Sequence, residues 1–304
     1  MGRITQRKRV TRIARPAGPA DDQSTFTTRS RVDVLAAEEP LELRLGDEQF
    51  TVTMRTPGND FELVAGFLVA EGIISTRQQL RGQRYCAGTD ELGNQTYNVI
   101  DCDLDPLLAA TSMSRRRNVL TTSACGVCGT TSIDAVEKAL PPDTARSSQL
   151  SISADTLLEL PDLLRQEQQI FDKTGGVHAA GLFDSQGQLL CLREDVGRHN
   201  AVDKVVGWAF MEDRFPLTGT VLQVSGRASF ELVQKAALGG IEMLSAVGAP
   251  SSLAVDLAER AGLTLAGFSR GKSINVYTHP GRVRSVDVRS KQVQQEARAL
   301  RSRS

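Results

Sequence analysis

The stretch SACGVCG places two cysteines, Cys125 and Cys128, at C-x-x-C spacing between a strand-like run, NVLTTS, and a helix-like one, TTSIDAVEKAL. A thiol where a strand runs into a helix lies near unpaired N–H groups and the positive end of the helix dipole. That setting can bring its pKa from about 8.5 into a range of roughly 3.5–7.5. A structural zinc site would need four ligands, commonly from two paired knuckles. Only one C-x-x-C is present, and Cys86, Cys102, Cys191, His178, His199 and His279 are isolated in sequence. No histidine precedes Cys125, so the H-x-E of the zinc deaminases is missing. Zinc is therefore the least supported reading. A redox dithiol and a carrier that attacks a persulfide both need the same thiolate, and spacing does not separate them. Two inert buried cysteines are the bland alternative, weakened by the flanking Gly126 and Gly129.

Three further segments bear chemistry. LREDVGRHNAVDKVVG (192–207) gathers Arg193, Glu194, Asp195, Arg198, His199, Asn200, Asp203 and Lys204 at a helix start. It reads either as a solvated helix entry or as a pocket wall, and we favour the wall, with no base role assigned to His199. His178, opening an apolar strand, reads as structural. VSGRASFE (224–231) is a strand end, a glycine turn and a helix start, where backbone N–H groups and Arg227 suit an anion. GFSRGKS (267–273) ends like a P-loop. The Walker pattern would need glycine at Ala266, and the segment runs on into the strand INVYT rather than a helix. It remains a loop suited to a phosphate or guanine-nucleotide moiety.

The elements that must position these residues follow from periodicity. LELRLGDEQFTVTMRT (41–56) alternates about Gly46-Asp47 as a hairpin. Asp60 is placed to cap a helix, FELVAGFLVAEGII. From Val119 onward strands and helices alternate. Helices are expected over LLELPDLLRQEQQIF, Arg198–Phe210, Phe230–Val247 and SLAVDLAERAG, with HAAGLFD and QLLCLRED as a hairpin and TVLQVS and LTLAGFSRGKSINVYT as strands. Such alternation implies an α/β core on a mixed sheet. Lys+Arg and Asp+Glu both number 36, so net charge points to no nucleic-acid partner. Residues 1–15 hold six basic residues and no acid, and read as a solvated, disordered tail. No apolar run reaches the roughly 18–20 residues of a membrane helix, and no secretory signal is present. Five sparse cysteines fit a reducing cytoplasm.

Taken together, FELVAGFLVAEGII, SACGVCG, TGGVHAAGLF, REDVGRHNAVDKVVG, VSGRASFELVQKA and GFSRGKSINVYT resemble the formate dehydrogenase accessory sulfurtransferases, the FdhD-type sulfur carriers. The resemblance implies a protein that takes sulfur from a cysteine desulfurase as a cysteine persulfide. It would pass that sulfur to the bis-guanine-dinucleotide form of the molybdenum cofactor, bound as substrate, before the cofactor enters formate dehydrogenase. Cys125 would carry the persulfide with Cys128 as its partner, and Phe268, Ser269, Arg270, Gly271, Lys272 and Ser273 would hold the nucleotide. No tightly bound metal is expected, and a homodimer is. The implied fold is a cytidine-deaminase-like three-layer α/β/α sandwich with a mixed sheet, plus a smaller α+β N-terminal domain. The expected organisation is a disordered basic tail over 1–30, the smaller domain over 31–115, the deaminase-like domain over 116–280, and a C-terminal strand and basic tail over 281–304. A cofactor-binding chaperone with incidental cysteines and a zinc-dependent deaminase-like hydrolase are the other two functions that fit.

Overall fold

A computed structural model describes residues 3–15, 26–86, 88–89, 95–106, 108 and 150–284. In chain order the strands are β1 (Thr5–Ala14), β2 (Thr27–Ala36), β3 (Glu39–Leu45), β4 (Glu48–Arg55), β5 (Leu80–Tyr85), β6 (Gly88–Thr89), β7 (Gln95–Thr96), β8 (Val99–Leu104) and β9 (Ile152–Ser153). After them come β10 (His178–Phe183), β11 (Leu189–Asp195), β12 (Val221–Val224), β13 (Met243–Ala246), β14 (Thr264–Arg270), β15 (Ser273–Val276) and β16 (Val283–Arg284). The helices are α1 (Asp60–Ala70), α2 (Ala154–Gln166), α3 (Gln169–Thr174), α4 (Arg198–Met211), α5 (Phe230–Leu238) and α6 (Ser252–Arg260).

The central sheet has six strands in the order β11-β10-β12-β13-β14-β15. Its middle, β12-β13-β14, is parallel, and the flanking pairs are antiparallel, so the sheet is mixed. VLQV and MLSA are buried at every position, as strands covered on both faces must be. Alternate residues separate the two covers. Ala180, Leu182, Leu222, Val224, Leu244, Ala246 and Leu265 pack with the apolar residues of α4, α5 and α6. Ala179, Phe183, Val221 and Met243 pack with Leu157, Leu160 and Leu164 of α2. Helices on both faces make three layers. Each large side chain sealed there contributes about 1.5–3 kcal/mol.

A second sheet, ordered β4-β3-β8-β5, carries the hairpin expected about Gly46-Asp47, both at positive φ as a tight two-residue turn requires. It lies in the same hydrophobic cluster as the central sheet, joined through α1. α1 and α4 cross with their backbones nearly touching. A Cβ on Gly66 would lie 1.8 Å from the Asp203 carbonyl oxygen, and one on Gly207 would lie 1.8 Å from that of Glu62. Only glycine permits this approach.

Five expectations change. The helix expected over FELVAGFLVAEGII ends at Ala70, and the one over LLELPDLLRQEQQIF is two, α2 ending at Gln166 and α3 starting at Gln169. The basic segment near the N-terminus is not a disordered tail over its whole length, because Thr5–Ala14 pairs along its full run with Thr27–Ala36. The β-branched Thr5, Val10, Thr11 and Ile13 favour that ladder despite Arg12 standing opposite Arg29. The helix expected over Phe230–Val247 stops at Leu238, and Met243–Ala246 forms β13. Gly239 and Gly240, the latter at φ +75, end the helix. α1 starts at Asp60, so Asp60 is not its cap; its carboxylate binds Arg55 instead.

Candidate functional site

The parallel strands β12, β13 and β14 end at one edge of the sheet, and ligands of open α/β sheets sit outside such carboxyl ends. The three loops that follow are stitched side by side. The Gly248 N–H donates to the Gly226 carbonyl at 2.9 Å, and the Phe268 N–H donates to the Gly248 carbonyl at 3.1 Å. A Cβ on Gly248 would meet the Gly226 oxygen at 3.1 Å and Arg227 Cγ at 2.8 Å, so the packing requires glycine.

The loop expected to hold a nucleotide is the β14–β15 hairpin. Arg270 pairs with Ser273 across Gly271-Lys272, and Gly271 has φ +57. The register shifts between Gly267 and Arg270, and there Phe268 adopts φ +53, a costly conformation for an aromatic residue. That bend leaves the Phe268 ring 40% exposed, with the Arg270 guanidinium 6.0 Å from its centroid. Arg270 Nε donates to the Val247 carbonyl at 3.0 Å, which ties the hairpin to the β13 loop. Ser269 is fully buried, and its hydroxyl has no partner. Lys272 and Ser273 are exposed. An open aromatic face beside a guanidinium suits stacking of a purine base.

The segment REDVGRHNAVDK divides in two. Most of its charges face inward and are paired. Arg193 Nη2 donates to Glu62 at 2.7 Å. Glu194 accepts from the Ile170 and Phe171 amides at the start of α3. Asp195 is fully buried, 2.7 Å from Lys204 Nζ, and accepts from the Thr56 and Gly197 amides and from Asn200. Lys204 also donates to the Thr56 carbonyl at 2.9 Å. Asp203 accepts two 2.9 Å bonds from Lys235. Burial pushes that carboxyl up, and the Lys235 ammonium opposes the shift. For Lys235, burial acts to lower the pKa, but the carboxylates of Asp203, Glu231 and Glu71 leave it raised. These groups are the join between α1, α4 and the two sheets rather than the wall of a pocket.

Arg198 and His199 are the exceptions, since they turn toward the carboxyl edge. His199 Nε2 lies 3.3 Å from both Ser229 Oγ and Glu231 Oε2. Burial lowers its pKa to about 4 against the pull of Glu231, so the ring is neutral at pH 7. Arg198 Nε is buried without a partner. Gly226 sits between His178 and Arg198, its missing Cβ 3.6 Å from His178 Nδ1 and 3.8 Å from Arg198 Cδ. Burial and the Arg198 charge lower the His178 pKa. His178 thus stands at the site, where sequence reading had placed only a structural residue. No sequence signal marked it, because the pairing of Ala180 with Val224 that brings β10 to this edge is a tertiary contact.

Cys125 and Cys128 lie outside the described residues, as does the strand-to-helix turn expected to present them. Burial pushes the Cys191 thiol up to about 12 and raises Cys102 further, so neither supplies a thiolate at neutral pH. Among the described residues no group of three or more His, Cys, Asp or Glu side chains is arranged to hold a metal ion. No helix among them is long and apolar enough to cross a membrane.

Comparison with known proteins places this geometry in context. A family model described as "FdhD/NarQ family" matches residues 36–284. A sulfur carrier protein FdhD from Nocardia farcinica is 53% identical over 285 residues, covering 94% of this chain and 97% of that protein. One of the same name from Saccharolobus solfataricus is 40% identical over 254 residues, covering 83% and 91%. A crystal structure of a candidate formate dehydrogenase accessory protein from Desulfotalea psychrophila superposes with a TM-score of 0.69 at 24% identity. It covers 93% of this chain and all of that one, and at this identity it speaks for the fold alone.

Proposed function

The chain belongs to the FdhD/NarQ family, and from that premise we propose that it is a sulfur carrier serving the maturation of formate dehydrogenase. The observation that carries this reading is near full-length identity of about half to a protein named a sulfur carrier. The finer steps are our own. Cys125, as thiolate, attacks the outer sulfur of a persulfide on a cysteine desulfurase. One S–S bond forms as another breaks, and the desulfurase thiolate leaves, so no oxidant is needed. Attack of the Cys128 thiolate on the inner sulfur of Cys125–S–SH then forms a Cys125–Cys128 disulfide and expels hydrosulfide. The two cysteines are oxidised and the sulfane sulfur is reduced, and a dithiol reductant resets the pair.

The sulfur's destination in this reading is the bis-guanine-dinucleotide molybdenum cofactor, held as substrate by Phe268–Ser273. The exposed Phe268 ring and the Arg270 guanidinium supply a stacking face for guanine. Burial makes Cys191 and Cys102 poor thiolates, which leaves Cys86, Cys125 and Cys128, of which only the last two form a C-x-x-C pair. The protein acts in the cytoplasm as a homodimer.

Intact mass after incubation with a cysteine desulfurase and cysteine tests the carrier role. The expected result is a gain of one sulfur atom that Cys125→Ala abolishes. Absence of any gain would sink the carrier and leave a cofactor-binding chaperone. Stoichiometric zinc by metal analysis would favour the deaminase-like hydrolase.

A further inference from the structure

We infer that the two-stranded ribbon β1–β2 is a docking arm for an acidic protein surface, that of the enzyme to which the proposed carrier delivers. The identity of the partner rests on the carrier reading, and the chemistry of the contact rests on the ribbon alone.

Three observations carry it. First, the charge of the ribbon is one-sided and unspent. Its strands hold Arg7, Lys8, Arg9, Arg12, Arg29 and Arg31 against one acid, Asp33, in a chain whose basic and acidic residues are equal in number. Arg31 meets Asp33 at 3.3 Å, and among the described residues the other five have no carboxylate partner. Second, the ribbon is not covered by its own chain. Ile13 is 65% exposed and Val32 62%, on the same face as Arg7 and Arg9, and neither strand joins a hydrophobic cluster. A two-stranded ribbon alone is marginally stable in water, so a partner's surface is what completes it. Third, Arg12 stands directly opposite Arg29. Like charges so placed destabilise a strand pair, and carboxylates brought from outside offset the repulsion.

The arm selects a protein among polyanions. Aliphatic side chains interleave with its cations, and neither strand holds an aromatic residue on which a base could stack. Charge stands on both faces, Arg7 and Arg9 on one and Lys8, Arg12, Arg29 and Arg31 on the other. A flat anionic lipid surface meets one face only, whereas an acidic cleft meets both. A second ribbon of the same chain would be repelled. Ten paired residues span about 33 Å, enough to cross one side of a small domain.

The root of the ribbon says which protein. The Ala37 N–H donates to the Ile4 carbonyl at 2.9 Å, and β2 packs against α3. Ala36 Cβ lies 3.7 Å from where a Cβ on Gly176 would stand. Gly176 is two residues before His178, which opens β10 at the carboxyl edge of the central sheet. A protein gripped by the arm is therefore held beside the edge from which the cofactor would be handed on.

Biolayer interferometry of the full chain against cofactor-free formate dehydrogenase tests this, with intact mass after desulfurase and cysteine run in parallel. Binding is expected, weakening about tenfold or more between about 50 and about 300 mM salt. Arg29→Glu turns the Arg12–Arg29 repulsion into an opposite-charge pair, so the ribbon is held at least as well, yet binding at low salt falls about tenfold. Arg7→Glu with Arg9→Glu, on the other face, gives a loss of the same order. Persulfide loading is unchanged in every variant. Binding indifferent to salt and to Arg29→Glu, or no binding at all, overturns the arm while the carrier stands. Arg29-dependent binding without any persulfide keeps the arm and overturns the carrier chemistry. A fall in the sedimentation mass of the chain alone in Arg29→Glu assigns the ribbon to a second copy and overturns the acidic partner. Arg29-dependent binding to phosphatidylserine–phosphatidylcholine vesicles or to duplex DNA, with none to the enzyme, also overturns it.

Discussion

The join between α1 and α4 and the carboxyl edge of the central sheet are made of the same materials: glycines, arginines, histidine or lysine, and carboxylates. They differ in whether each charge has an internal partner. At the join, Arg55 meets Asp60, Lys204 meets Asp195 and Lys235 meets Asp203, all six groups buried. At the edge, Arg198 Nε and the Ser269 hydroxyl are buried with nothing to bond, and His199 is held neutral. Glycines divide the same way. Gly66 and Gly207 bring two helices into backbone contact, whereas Gly226 opens space between side chains. A satisfied polar cluster holds the fold together, and an unsatisfied one is available to a ligand.

The comparison breaks most readily at its strongest point. Replacing Lys204 with Ala strands the buried Asp195 carboxylate, and a loss of about 3–5 kcal/mol is expected in urea unfolding. A loss under about 1 kcal/mol would mean the pair is not structural. Next is Gly207→Ala, whose Cβ would lie 1.8 Å from the Glu62 carbonyl oxygen. Thermal denaturation should show destabilisation of about 3 kcal/mol, and an unchanged midpoint would show that the helices can part freely.

A smaller effect comes from pH. His199 has a native pKa of about 4 against 6.5 for the free side chain. Between those values the unfolded chain binds the proton and the native one does not. Stability is therefore intact above pH 6.5 and falls as pH drops toward 4, by about 2 kcal/mol once partial solvent screening is allowed for. His199→Gln should flatten that part of the stability–pH curve, and an unaltered slope would assign it to other groups. The smallest change in stability belongs to the edge itself. Arg270→Ala should alter unfolding free energy by no more than about 0.5 kcal/mol, yet weaken guanosine binding to the Phe268 hairpin. A large stability loss there would erase the distinction between the two regions.

Much of the architecture was legible in the sequence because period and punctuation are local. The alternation about Gly46-Asp47, the helix from Arg198 and the strand-loop-strand through Phe268 all stand where residue patterns put them. β13 was hidden because MLSA is a short apolar run that continues the helical stripe of α5 on paper. The glycine pair before it was the available stop signal. The N-terminal ribbon was hidden because its charge outweighed its β-branched alternation.

The family, the alternation of strands and helices, the C-x-x-C and the loop that ends as a hairpin rather than a P-loop are all readable from the residues alone. Those features depend on residue identity and near spacing. Which charges of REDVGRHNAVDK are structural emerges in three dimensions, since Thr56, Glu62 and Lys235, their partners, are remote in the chain. The tertiary fold also brings His178, Arg198 and Gly226 together, because sheet order rather than sequence order sets which loop ends are neighbours.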